Sequence, residues 1–230
     1  MKIYFKEMLM AASLVAAPLF AYESSVKIAS GTVEVLKDGK VVRKAATGEA
    51  LTPGESVRTG KNSTAIVLLD GGTMIKLKES SEIRLTDLSG SAAEGNRKTM
   101  LNLLSGSVFS KVAKLKQNED FAITSASTVA GVRGTSFFMA FGKARDNKKE
   151  ADLWLCVNEG RVEVKGEKGD KVSVKEGEGI IIPEGKKTTK PKAYAWTKNL
   201  NWNFDPEKGE VSDKTTMESM YKEPLEIHYD

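Results

Sequence analysis

The chain has 230 residues, with 35 Lys and Arg against 31 Asp and Glu and a formal net charge of +4. This small basic excess is far from the charge balance of nucleic-acid-binding proteins, so no nucleic-acid partner is predicted. The single cysteine, Cys156, excludes an intrachain disulfide, and the single histidine, His228, excludes a multi-histidine metal site of the cupin type. The length suits one domain with a sizeable core and room for an appendage.

Residues 1–21 have the pattern of an export signal. Lys2 and Lys6 precede an apolar run over residues 8–21, and Tyr22 follows it. A basic start and a short apolar run are typical of a cleaved signal peptide, and this run is too short to span a bilayer comfortably. We predict cleavage after residue 21, export, and no transmembrane span in the mature chain. An uncleaved N-terminal anchor is the alternative.

Short strand patterns separated by glycine turns continue to about residue 190. The clearest is a hairpin in which Asp70-Gly71-Gly72 joins Thr64–Leu69 to Thr73–Leu77, because Asp-Gly is favoured in tight turns. Such short, evenly spaced strands predict an all-β domain over residues 22–192. Further strands are predicted at residues 82–85, 100–104, 107–110, 121–124, 153–157, 161–164, 171–174 and 179–182.

Both ends of this domain carry a similar motif. Residues 31–35 are Gly-Thr-Val-Glu-Val, residues 160–164 are Gly-Arg-Val-Glu-Val, and a weaker copy lies at residues 106–109. Stacked copies of one β-unit would bury a continuous core. We therefore predict a coiled, solenoid-like stack of short strands, and a two-sheet β-sandwich is the alternative.

An arginine interrupts the most apolar stretch of the chain. Residues 129–141 are apolar at odd and even positions, as in a strand covered on both faces, yet Arg133 lies among them between Gly131 and Gly134. An unpaired buried charge is very costly. We interpret Arg133 as a buried clamp whose donors tie neighbouring strands together, with the glycines making room for it. A pocket arginine for an anionic ligand is the alternative.

The C-terminal residues 193–230 change character along their length. They begin with a group of aromatic side chains, which we expect to cap an open end of the β-domain and protect its edge strands. From Glu207 onward the sequence is polar and predicts a loosely held tail with one short helical turn near residues 216–222. The aromatic group consists of Tyr194, Trp196, Trp202 and Phe204.

Two basic segments lie at residues 143–149 and 186–192. We interpret them as a solvent-exposed hairpin tip and a linker. Electrostatic contact with anionic envelope polymers or lipid head groups is the alternative.

Several motifs in order resemble the FecR domain, the periplasmic module of bacterial iron-transport signalling regulators. They are the motif at residues 31–35, then residues 51–60, 69–73, 106–108 and 132–137, so the likeness runs from about residue 31 to residue 185. The resemblance implies an all-β periplasmic module that transmits or binds and does no chemistry. It also marks five family-signature residues, for which we expect a structural role: Gly131, Val132, Arg133, Gly134 and Thr135.

The sequence departs from those regulators in two ways. The domain follows the predicted export signal almost directly, without a cytoplasmic anti-sigma segment and membrane span, and no long C-terminal partner-binding region follows it. We therefore expect a free-standing use in the periplasm or cell envelope and not transmembrane signalling through a sigma factor.

Candidate catalytic groups are few. His228 lies close to the chain end, and the acidic residues Asp70, Glu159, Glu176 and Glu178 adjoin turn glycines, where they usually stabilise turns. Paired carboxylates, as in a polysaccharide-cleaving β-solenoid, are the enzymatic alternative. We predict a non-enzymatic binding or signalling module, without metal or cofactor, whose partner is an envelope protein or an anionic cell-wall polymer. A structural envelope scaffold or surface protein with no signalling role is the alternative.

Overall fold

The computed structural model describes residues 23–143 and 150–222. The predicted signal peptide, most of the first basic segment and His228 lie outside these ranges. Within them, fifteen strands form one hydrogen-bonded, mixed sheet, which confirms the all-β prediction. No helix in these ranges has the length and hydropathy that a membrane crossing requires.

The sheet folds over into two layers, here called sheet A and sheet B. Sheet A contains β1 (Ser24–Ser30), β5 (Thr64–Leu69), β6 (Thr73–Leu77), β11 (Ser136–Gly142), β12 (Asp152–Glu159) and β15 (Gly179–Ile182). Sheet B contains β2 (Val33–Lys37), β3 (Lys40–Lys44), β4 (Glu55–Thr59), β7 (Glu82–Ser89), β9 (Asp120–Ser125), β10 (Thr128–Val132), β13 (Arg161–Lys165) and β14 (Lys171–Lys175). The long strand β8 (Lys98–Lys111) belongs to both.

Strand β8 joins the two layers at Gly106. Before this glycine β8 pairs with β7 and β9 in sheet B, and from it onward β8 pairs with β6 and β11 in sheet A. Gly106 has φ +78°, and a Cβ there would lie 2.5 Å from the Cα of Ser81. Only glycine combines this backbone angle with that close approach. The two strands predicted on either side of Gly106 are therefore one bent strand.

Within each sheet the strands follow one another almost in chain order, and the chain passes repeatedly from one sheet to the other. Residues of both layers meet in one inner core, for example Leu77 and Val108 of sheet A with Val57 and Leu101 of sheet B. The chain therefore coils along the molecule as in the predicted stack. In cross-section it has the two facing sheets of the β-sandwich alternative.

The predicted hairpin is present, with Asp70–Gly72 as a short 3₁₀ turn between β5 and β6. The helical turn predicted near residues 216–222 is also present, as the short helix α1 (Met217–Lys222). Residues 193–222, here called the strap, run over the outer face of sheet A and end in α1.

Several strap residues are buried against sheet A. Trp196 is 1% exposed and Met220 is fully buried, in a cluster with Phe109, Phe138 and Trp154 of sheet A. The strap thus covers a face of the β-domain and not one of its ends, because sheet A has large apolar side chains on both faces. After Glu207 most described residues are exposed or half-buried, as the polar sequence predicts, and Met220 is an exception.

Candidate functional site

The signature arginine lies in a crossover and not inside a strand. Strand β10 ends at Val132 in sheet B, β11 begins at Ser136 in sheet A, and residues 133–135 connect them. The side chain of Arg133 is exposed. The interpretation of Arg133 as a buried clamp is therefore wrong. In the sequence, β10 and β11 resemble a single buried strand. In the structure, β11 is buried on both faces, whereas one face of β10 is exposed.

Gly134 and Thr135 hold this crossover against two neighbouring segments. Gly134 has φ +73°, and a Cβ there would lie 3.2 Å from the Cα of Lys114. Thr135 is buried, and its Oγ1 donates a hydrogen bond of 2.9 Å to the carbonyl oxygen of Arg161. The carbonyl oxygen of Thr135 accepts from the backbone N–H of Val112, also at 2.9 Å. These contacts fix the position from which Arg133 extends.

A cleft of about 610 Å³ opens beside the crossover. Arg133, Arg161 and Glu163 are exposed on its walls, and its floor is free of side chains at Gly131, whose added Cβ would meet only the Glu163 carbonyl oxygen at 3.9 Å. We call it the arginine cleft. A guanidinium offers a planar fork of donors that fits a carboxylate or phosphate, so the cleft suits an anionic group. Its full lining is Gly131, Val132, Arg133, Gly134, Gly160, Arg161 and Glu163.

Apolar side chains lie uncovered next to the cleft on the outer face of sheet B. Met100, Ala122 and Gly131 follow one another across β8, β9 and β10 in one cross-strand row, and Glu163 of β13 continues it. Met100 is 42% exposed and Val129 is 37% exposed. We call Met100, Ala122 and Val129 the open patch. The arginine cleft and the open patch together form a continuous surface.

A second notable arrangement lies under the strap, where two lysines of sheet A are buried. Lys76 is 1% exposed, and its Nζ donates to the carbonyl oxygens of Asn201 at 2.6 Å and Asn203 at 2.8 Å. The Nζ also lies 4.3 Å from the ring centroid of Phe109 and 5.1 Å from that of Phe204.

The neighbouring lysine has a carboxylate partner. Lys78 is 7% exposed, and its Nζ donates to Oδ1 of Asp213 at 2.5 Å and to the carbonyl oxygen of Thr215. Sequence reasoning missed both lysines, because Lys76 and Lys78 alternate with Ile75 and Leu77 as the solvent-facing residues of an ordinary half-buried strand do. Only their pairing with strap residues far along the chain shows that this face is covered.

Burial changes the ionisation of these groups. Desolvation lowers the pKa of Lys76 to about 8; the nearby Asp213 opposes this shift and Lys78 adds to it. Desolvation also lowers the pKa of Lys78, and the hydrogen bond that Lys78 donates to Asp213 opposes this shift. Cys156, 1% exposed on the same face, has a pKa raised by burial. Burial on the face that the strap covers thus disfavours the charged form of both lysines and of the thiol.

Acidic residues at turns have structural contacts. Asp70 Oδ2 accepts from the backbone N–H of Ala92 at 2.6 Å, and Glu178 Oε2 accepts from that of Lys175 at 2.9 Å. Across residues 23–143 and 150–222, no three His, Cys, Asp or Glu side chains are grouped so that they could hold a metal ion.

Comparison with known proteins gives a family for this stretch of chain. Residues 55–163 match the family model described as FecR protein. No curated protein is significantly similar to the chain. Two crystal structures of a candidate anti-sigma factor from Parabacteroides distasonis are similar. One is 19% identical over 62% of this chain and 60% of that chain, with a TM-score of 0.47. The other is 18% identical over 60% and 59%, with a TM-score of 0.48.

This chain therefore spans about three fifths of the solved proteins that it resembles. The family match is narrower than the likeness between residues 31 and 185, yet it contains the crossover and all the lining residues of the arginine cleft. It confirms the resemblance that the motifs indicated: residues 55–163 of this protein match the FecR family.

Proposed function

We propose that this protein is a non-enzymatic signalling module, exported to the periplasm or cell envelope, that acts by binding a partner protein. The surface formed by the arginine cleft and the open patch carries this proposal. It lies entirely within residues 55–163, which match the FecR family, and the guanidinium groups of Arg133 and Arg161 form no ion pair with other residues in the described ranges. Both are therefore available to a partner.

The surface suits a protein better than an anionic polymer. Protein interfaces combine an apolar centre with a polar rim and are enriched in Met and Arg. Here Met100 and Val129 lie on the same face of sheet B as Gly131, which is in the floor of the cleft that the two arginines line. A polyanion would favour an unbroken run of cations, but Glu163 places a carboxylate in the same cleft. We infer that the partner offers an apolar surface and at least one carboxylate.

Within the signature we propose a division of roles. Gly131 leaves the floor of the cleft open, while Val132, Gly134 and Thr135 position the crossover. Arg133 contacts the partner. The structural role expected for the signature would then belong to its glycines and threonine, and the arginine would serve recognition.

Site-specific photo-crosslinking in the producing cell tests the proposal. A photoreactive residue at position 129 or 163 should yield one defined protein adduct, and the same residue at position 208 on the strap should not. Arg133→Ala should abolish the adduct without changing the amount of folded protein. A structural scaffold would give self-adducts or none, an anionic polymer would give a heterogeneous smear, and either result would overturn the proposal.

Export is tested separately by N-terminal sequencing of the natural protein. The charged start and short apolar run of residues 1–21 predict a mature chain that begins at or close to Tyr22. A cytoplasmic protein that retains Met1 would contradict export.

A further inference from the structure

The strap and the two-sheet domain are separable in their packing. The inner core between the sheets contains no buried residue after Ile182, whereas the buried residues of the strap belong to a second cluster on the outer face of sheet A. In the ranges that the structure describes, no strap residue pairs with a strand. The inner core therefore does not depend on the strap for its apolar contacts.

The middle of the strap keeps its own shape through internal hydrogen bonds. The side-chain amide of Asn201 donates to the carbonyl oxygens of Glu210 and Ser212, both at 2.8 Å. Asp213 Oδ2 accepts from the backbone N–H of Asn201 at 2.6 Å. These bonds organise residues 201–213 into a loop that presents its carbonyl oxygens to Lys76 and the carboxylate of Asp213 to Lys78.

We propose that the outer face of sheet A is a second binding surface and that the strap is its displaceable resident ligand. The strap leaves this face as a unit while the two-sheet domain stays folded. A competing partner segment has the chemistry of the strap: aromatic side chains, two backbone carbonyl oxygens placed for Lys76, and a carboxylate placed for Lys78. This inference is independent of the arginine cleft, which lies on the other sheet.

The polar groups beneath the strap explain why it can be displaced. Burying an ammonium group removes its hydration, and a buried ion pair regains this loss only in part. Lys76 has carbonyl oxygens and aromatic rings around it, and within residues 23–143 and 150–222 it forms no ion pair with a carboxylate. The indole Nε1 of Trp196 is buried without a hydrogen-bond partner in the described ranges. The lost hydration of Lys76 and the missing hydrogen bond of Trp196 offset part of the stabilisation that the aromatic contacts provide.

The only cysteine reports directly on the strap. Cys156 is 1% exposed and belongs to the cluster that the strap covers. A thiol reagent can reach it only when that face opens. Labelling of the full-length protein under native conditions therefore measures strap release, and amide exchange in β8 and β13 measures opening of the inner core.

We expect Cys156 to be labelled at least tenfold faster than global unfolding allows. Asp213→Asn removes the carboxylate charge facing Lys78 and should speed labelling at least tenfold more, with amide protection in β8 and β13 unchanged. Lys214→Gln is the matched control, because Lys214 is 86% exposed in the same segment, and it should have no effect. Labelling at the global unfolding rate, or a parallel loss of amide protection, would overturn the proposal.

A binding experiment tests the partner chemistry. A protease site is inserted between Thr189 and Lys190, which are exposed, and the folded full-length protein is cut there and freed of its strap. A synthetic peptide of residues 193–222 should bind the cut protein, and the peptide carrying Asp213→Asn should bind at least tenfold more weakly. Intact protein should bind neither. Unfolding on loss of the strap, or equal binding of both peptides, would refute the displaceable-ligand assignment.

Discussion

The outer faces of the two sheets differ in what covers them. On sheet A, Phe138 and Trp154 point away from the inner core yet are fully buried beneath the strap. On sheet B, Met100 and Val129 also point outward and stay 42% and 37% exposed. An antiparallel sheet needs only one buried face. The strap thus turns one outer face into a second core and leaves the other partly exposed.

The largest effect is expected from truncating a buried side chain on the covered face of sheet A. Phe138→Ala removes a fully buried ring whose centroid lies 4.8 Å from that of the Phe109 ring. Such truncations lower the free energy of unfolding by about 3–5 kcal/mol. Val129→Ala on the open face should change the free energy of unfolding by about 0.5 kcal/mol or less. Urea unfolding compares the two variants, and equal losses would refute the contrast between the faces.

Breaking the buried ion pair should have the next largest effect. Lys78→Met leaves the carboxylate of Asp213, whose side chain is 1% exposed, without its cation, and removing one partner of a buried pair costs about 3 kcal/mol or more. Adding Asp213→Asn to the same chain should recover most of that loss, because no unpaired charge remains. A double variant that is no more stable than the single variant would show that the pair itself is not responsible.

Replacing the other buried lysine should change the pH dependence more than the stability. The pKa of Lys76 falls from 10.5 to about 8 on burial, so between these values the folded protein binds fewer protons than the unfolded chain. The contribution of Lys76 to the free energy of unfolding therefore rises with pH between about 8 and 10.5. Lys76→Met should flatten this rise and change stability at pH 7 by about 1 kcal/mol or less, since apolar replacement of a buried charge is often neutral.

The difference between wild type and Lys76→Met reports on Lys76 together with its coupling to Lys78. Cys156, whose raised pKa lowers stability at high pH, is present in both proteins and cancels in the comparison. Urea unfolding at a series of pH values from 7 to 10 provides the measurement. The same slope in both proteins would contradict the assignment to Lys76.

The smallest effect is expected at the signature arginine. Arg133 is exposed, so Arg133→Ala and Arg133→Lys should each leave the thermal midpoint within about 2 °C of wild type, as for other surface substitutions. Partner crosslinking should nevertheless be lost in Arg133→Ala. A fall of many degrees in the midpoint would restore the buried clamp that the sequence suggested.

The sequence determined the features that depend on local chemistry. Alternating and short apolar runs with glycine turns were sufficient for the all-β fold, and the Asp-Gly pair at residues 70–71 located a turn between two strands. The ordered motifs, including Gly134 and Thr135, were sufficient for the FecR resemblance. These features are set by side-chain period and backbone angle within a few neighbouring residues, so they can be predicted without knowing the tertiary contacts.

Only the tertiary structure decided which faces are covered. Arg133 lies next to an apolar strand in sequence but is exposed, because the chain leaves sheet B at that residue. Lys76 and Lys78 alternate like surface residues but are buried, because Asn201, Asn203 and Asp213 approach them from the end of the chain. Burial depends on which distant segment packs on a strand, and side-chain alternation within that strand carries no information about the partner.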